Sequence, residues 1–327
     1  MLTLAHVAIV TPGRCGLYET TRELVVGLRA LGVDSRIHDP GDRELHPGGD
    51  EDRGAKFCDL DWAKRADILI EHSGLGPLAD TGQPVIHVAH GRPRSSFLIE
   101  RRGGAPIQSY HYLKNKDPRF TAVVTFWPSH VPYHEVIWTQ TPVYSVTPPV
   151  DLDAWSPEGP SGYDFHGKGG SPNIICTDAW RDDIDPWPVV NAFALYARKF
   201  PKAKLHIYGA AKDMKGWGAV LKTIEDQGNR GEISTWVRGL ANVYRAADML
   251  ITPHTIAVRS IRESMACGCP VAIMGSPDIG EFANSMETML GLDRAHIRRK
   301  AEEIFDPRTT AREFLDVVNA IDVRAAA

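Results

Sequence analysis

Short apolar runs alternate with amphipathic segments along most of this chain. "AHVAIV" (5–10) is a strand-length, largely apolar run. In "YETTRELVVGLRALG" (18–32), Leu24, Val25, Leu28 and Leu31 fall on one face at helical spacing, and Gly32 is the stop. "VDSRIHD", "ADILIEH", "PVIHVAH", "TAVVTFW" and "TPVYSV" are the strand candidates that follow. Strands this apolar are buried on both faces, so the pattern predicts a parallel sheet covered by helices on both sides.

Residues 147–172 break the rhythm with a linker-like composition of proline and glycine. It resumes with "NIICT", a helix over 186–200, "AKLHIYG", a helix around 215–228, "EISTWV", a helix near 240–247, "DMLITP", a helix over 258–267 and "CPVAIM". Segments 293–304 and 307–324 then read as amphipathic helices with no strand between them. The expected organisation is α/β, with two doubly wound, Rossmann-like domains over 1–147 and 173–306. A Pro/Gly-rich linker over 148–172 joins them, and a C-terminal helix occupies 307–327. Such domains bind ligands in a cleft where the carboxyl ends of the strands face each other.

The length of 327 residues fits two domains of roughly 150 residues each. A net charge of −4 excludes wholesale attraction to nucleic acid or membrane. The N-terminus lacks a signal-peptide pattern, and no apolar stretch approaches membrane-spanning length. Five cysteines without framework spacing point to a reducing compartment, so the expected location is cytoplasmic, without an integral membrane segment. Cys267 and Cys269 form C-x-C with no second Cys/His pair near in sequence, and are expected to be two small buried thiols rather than a metal site.

Functional loops follow the strands in such sheets. In "TPGRCGLYETT" (11–21), Gly13 and Gly16 allow close backbone approach without forming a dinucleotide fingerprint. In "VIHVAHGRPRSSF", His87 and His90 point to opposite faces, and His90 stands at the carboxyl end of the strand, where a group in contact with substrate would project. In "ICTDAWRDDIDP", Arg181 precedes a helix start marked by Asp185-Pro186; it can pair with a phosphate or with Asp182 or Asp183. Arg259 and Glu263 are four apart and face the same way, which allows an ion pair or a shared ligand. The turn from Ala257 to Ser260 is a helix start of the kind that binds phosphate.

"Y-R-A-A-D-M-L-I-T-P" (244–253) followed by "E-S-M-A-C-G-C-P-V-A" (263–272) resembles the C-terminal signature of GT-B glycosyltransferases of the family-4 type. "C-G-L-Y-E-T-T-R-E-L" (15–24) is similar to that family's first-domain loop, and "P-P-V-D-L-D-A-W-S-P" (148–157) to its interdomain strand. The resemblance implies a retaining, metal-independent hexosyl- or pentosyltransferase. It would move a sugar from a nucleotide-diphosphate sugar to a hydroxyl acceptor and use no other cofactor. It implies that Glu263 accepts from the ribose hydroxyls, with Arg259, Thr255, Gly16 and Lys212 also on the donor side. Arg181 would neutralise the diphosphate and His90 would lie near the transferred sugar, while Arg92, Arg94 and Tyr18 would face the acceptor. The family's Gly-Arg followed by a Lys is missing here, and Lys212 and Lys215 would compensate. Thr255 stands where the family has the earlier of two glutamates, a position that contacts the sugar. That departure is what a non-catalytic GT-B-like nucleotide-binding protein would show, and a nucleotide-sugar epimerase shares the architecture.

Residues 91–120 carry Arg92, Arg94, Arg101, Arg102, Lys114, Lys116 and Arg119 against Glu100 and Asp117. They also hold Phe97, Tyr110, Tyr112 and Phe120. The basic block is either a solvated face or the border of a polyanionic acceptor. Such an acceptor would be a modified base in DNA, as in phage DNA-modifying transferases, or a phosphate-bearing lipid or glycan; the aromatics would stack on bases.

Overall fold

A computed structural model describes residues 1–8, 16–40, 51–91, 114–178, 185–209, 217–226, 230–235 and 237–325. The chain divides into two compact units, Met1–Pro149 with Phe305–Ala327, and Val150–Ile304.

In the first unit, β1 (Thr3–Val7) leads to α1 (Gly16–Ala30), β2 (Asp34–His38), β3 (Glu51–Asp52), β4 (Ala55–Phe57), the short α2 (Leu60–Ala63), β5 (Ile68–Glu71), β6 (Val85–Ala89), β7 (Phe120–Thr125), α3 (Val131–Ile137) and β8 (Val143–Ser145). The sheet order is β3-β4-β2-β1-β5-β6-β7-β8, and every pairing is parallel except β3 with β4. In the second unit, β9 (Asn173–Cys176), α4 (Trp187–Lys199), β10 (Lys204–Tyr208), α5 (Trp217–Asp226), β11 (Arg230–Ser234), α6 (Leu240–Ala246), β12 (Met249–Thr252), α7 (Arg259–Ala266), β13 (Val271–Ile273), α8 (Ile279–Leu290) and α9 (Arg294–Phe305) follow. Its sheet is wholly parallel, in the order β11-β10-β9-β12-β13. The final helix, α10 (Pro307–Ala325), belongs to the first unit. Among the described residues no helix is long and apolar enough to cross a membrane.

The doubly wound pattern expected from the alternation is therefore present twice. The β3–β4 hairpin, α2, α3 and α8 are not among the elements the pattern predicts. Strands of two and three residues show no period, whereas α8 does carry Phe282, Ala283 and Met286 on its buried face behind an Asp278 cap. The helix expected at 186–200 begins at Trp187, with Asp185 Oδ1 accepting from the Trp187 backbone N–H at 3.0 Å.

Strand alternation builds two layers on the first sheet. Leu4, Ile68, Ile70, Ile86 and Val88 pack beneath Leu24 and Leu28 of α1 and Ala311, Phe314, Val317 and Val318 of α10. Ala5, Val7, Leu69, Val85 and Val123 pack on the other side with Leu78 and Trp138. The polar side of α1 is buried too, since Glu19 accepts from Arg22 Nε at 3.1 Å and from Arg53 at 2.5 Å. α1 and α10 approach so closely that a Cβ on Gly27 would lie 2.1 Å from the Pro307 carbonyl oxygen. Gly27→Ala is expected to destabilise the protein by about 1–3 kcal/mol, read as a lower urea midpoint at unchanged slope.

In the second unit, the Pro/Gly-rich segment after Val150 is fastened by two arginines. Arg298 donates to the carbonyls of Leu152 and Trp155, and Arg245 to those of Ser156 and Pro160.

Candidate functional site

In the second sheet, β9, β10 and β11 step outward in one direction and β12 and β13 in the other. Outside the carboxyl ends of the strands where the order reverses, helices leave to opposite faces and a crevice opens. The β9–β12 register, Met249 opposite Ile174 and Leu250 opposite Ile175, brings the segments after both strands together there. Asp178, two residues past β9, is buried. It accepts from Ser260 Oγ at 3.0 Å, its Oδ2 lies 3.6 Å from the Cys176 thiol, and its Oδ1 lies 3.5 Å from His254 Nε2. Thr177 and Tyr244 share a hydrogen bond of 3.0 Å beside them.

Helix α7 opens at this point. Its N-cap, Val258, has no side-chain capping bond. The helix stops at Gly268, whose φ of +71° is a left-handed conformation suited to glycine, and a Cβ there would meet the Arg294 carbonyl at 3.0 Å. Cys267 and Cys269 are fully buried in this turn, and burial pushes their thiols up to about 12 and about 11. Within α7, Glu263 is buried and accepts from Arg259 Nε at 2.5 Å, while the Arg259 side chain keeps 21% exposure. The i,i+4 ion pair is thus formed, and it sits on the helix that flanks the crevice. Burial first, and the Glu263 carboxylate next, raise the Tyr244 phenol well above its ordinary value. Thr255 is exposed in the loop between β12 and α7.

The first sheet reverses its order at β1 and β5. His6 on β1, His72 just past β5 and His90 just past β6 form a hydrogen-bonded series, His6 Nδ1 to His72 Nε2 at 3.0 Å and His72 Nδ1 to His90 Nε2 at 2.8 Å. His6 and His72 are buried, and His90 is half-buried. On the other face, Glu71 Oε2 accepts from His87 Nδ1 at 2.5 Å and from Lys114 Nζ at 2.7 Å, all three side chains being buried. His87 and His90 do point apart, and His87 belongs to this buried cluster.

Gly16 is exposed at the start of α1. Tyr18, expected to face the acceptor, is 1% exposed and packs in the core with Val25, Ile37 and Ala55. Phe120, expected to stack on bases, is likewise a core residue, in van der Waals contact with Trp138. Two cations of the basic block are engaged internally, Lys114 by Glu71 and Arg119 by Asp117 at 2.6 Å. Arg181, Lys212, Lys215, Arg92, Arg94 and Gly13 lie outside the described residues.

Sequence reasoning passed over Asp178, His254, His72 and Glu71. The first three follow a strand by one or two residues, and Glu71 ends one, so weighing every polar residue at the carboxyl ends would have found them.

No protein-family model matches the chain, and no curated protein matches it in sequence. Solved structures do match in shape. HepE from Anabaena, in complex with UDP and glucose, has a TM-score of 0.69 at 12% identity over 98% of this chain and 100% of HepE. Sucrose-phosphate synthase from Thermosynechococcus elongatus has a TM-score of 0.66 at 12% identity over 100% of both chains. A glycosyltransferase from Rickettsia africae has 0.63 at 13% identity over 98% of each. These likenesses establish the fold, and the chain has the GT-B architecture that its motifs resemble.

Proposed function

We propose that the protein is a glycosyltransferase that moves a sugar from a uridine-diphosphate sugar to a hydroxyl acceptor. The observation that carries this reading is Glu263, a buried carboxylate on a short helix at the strand-order reversal of the second sheet. A charged acceptor at such a crevice suits a pair of vicinal ribose hydroxyls. Arg259, four residues earlier and partly exposed, supplies a guanidinium at the helix start for the diphosphate. The uridine class is taken from HepE, which was solved with UDP-glucose. By the same resemblance the transfer retains configuration and relies on cationic side chains, Arg181 and Lys212 among them, in place of a metal. His90 is assigned to the transferred sugar.

The deciding experiment is a thermal-shift series with UDP, GDP, ADP and their common sugar conjugates. A ligand that binds only the folded protein at a hundred times its Kd adds about 2.7 kcal/mol of stability. UDP and one UDP-sugar are expected to raise the melting temperature, and slow release of UDP without acceptor would mark a live transferase. No shift with any nucleotide at millimolar concentration would refute the reading. For the acceptor, a modified base in DNA remains the proposal of the basic block, reduced by the internal pairing of Lys114 and Arg119. Retention of duplex DNA at low salt that declines steeply as salt rises is the expected sign. No retention at low salt would remove it.

A further inference from the structure

A glycosyltransferase has a task for His90 but none for His6 and His72. Neither is a common choice for a fully covered position, because an imidazole in the core needs partners for both nitrogens. Here the partners are the other histidines. Four ring nitrogens form the two contacts of 3.0 and 2.8 Å, and the rings sit at centroid separations of 5.3 Å and 5.1 Å. Phe314 lies against His6 at one end and Phe126 against His90 at the other. Burial pushes His6 down to about 3 and His72 well below its ordinary value, so both rings are neutral near neutral pH.

A neutral imidazole carries one donor and one acceptor. In a series of such rings every hydrogen bond must therefore run in the same direction, and one end determines the whole. His6 supplies that end. Its Nε2 is fully covered and has no hydrogen-bond partner among the described residues. A covered N–H without a partner is rarer than a covered acceptor without one. His6 is then protonated on Nδ1 and donates to His72 Nε2. His72 in turn is protonated on Nδ1 and donates to His90 Nε2.

We propose that His6 and His72 are positioning residues that fix His90 as its Nδ1–H tautomer, so that it acts on the sugar or phosphate oxygens of the donor as a hydrogen-bond donor and not as a base. The tautomer follows from the two ring contacts, the neutral rings and the partnerless Nε2 of His6, whereas its use on a donor rests on the glycosyltransferase reading. Free histidine in water favours the opposite tautomer, with the proton on Nε2, so the outcome is distinctive.

The test is nitrogen-15 NMR of the intact protein labelled at histidine. For His90, Nδ1 is expected at a shift typical of a protonated ring nitrogen and Nε2 at that of an unprotonated one. His72→Phe keeps a flat ring but removes the donor. In that variant the His90 pattern is expected to invert, and kcat with the nucleotide sugar to fall about tenfold while KM changes little. His72→Gln, whose amide supplies both an N–H donor and a carbonyl acceptor, should recover part of both. A protonated His90 Nε2 in the unaltered protein overturns the proposal, as does an unchanged His90 pattern in His72→Phe. If His72→Phe fails to fold, the spectrum of the unaltered protein still decides. If no nucleotide sugar is turned over, the activity reading fails on its own while the nitrogen shifts report the tautomer.

Discussion

Glu71→Ala is expected to destabilise the protein by about 3–5 kcal/mol, a large share of the 5–15 kcal/mol typical of a domain. The carboxylate is 2% exposed, and removing it leaves the Lys114 ammonium, 7% exposed, with its counter-charge gone. Burial of Glu71 favours its neutral form, but the charges and hydrogen bonds of His87 and Lys114 outweigh that and hold it well below its ordinary 4.5. The stability contributed by Glu71 is therefore complete above about pH 4.5 and drains away as pH falls toward the lower, folded-state value. Guanidinium unfolding at pH 7 and pH 4 should show the difference between wild type and Glu71→Ala narrowing at the acid end. Adding Lys114→Met to Glu71→Ala should recover much of the loss, because an apolar pair replaces a buried ammonium that has lost the Glu71 carboxylate. A double variant no more stable than the single would refute the pairing as the cause.

Glu263→Ala is expected to weaken UDP binding by about tenfold to a hundredfold in calorimetry, the scale of hydrogen bonds from two hydroxyls to a charged acceptor. Its second effect runs the other way. Arg259 loses its carboxylate in this variant and becomes a stronger site for phosphate. A loss of affinity observed against that trend argues for the ribose contact, and unchanged or tighter binding argues against it. Glu263→Gln should fall between, since the amide oxygen still accepts but carries no charge.

The two doubly wound units could be read from the sequence because a buried parallel strand needs a continuous apolar run and its covering helix a 3.6-residue stripe. The turn at Gly268 and the Arg259–Glu263 pair were legible for the same local reason, both being fixed by spacing within one element. The burial of Tyr18 could have been read as well. It stands seven residues before Val25, two helical turns along the same face. Glu71 and Lys114 meet across 43 positions, and His6 and His72 across 66. Glu71 and His72 stand at the end of one strand, His6 lies within another and Lys114 precedes a third, and only the strand order makes them partners. Lys114 shows the cost of reading charge without topology, for it counts toward a basic block yet lies in the core.

The return of α10 to the first unit has a bearing on how the chain is made. Val150–Ile304 is continuous and can close as soon as it leaves the ribosome, but the first sheet emerges earlier and waits. Until Phe314, Val317 and Val318 arrive, Leu4, Ile68, Ile86 and Val88 lack part of their cover. The half synthesised first is thus the half completed last.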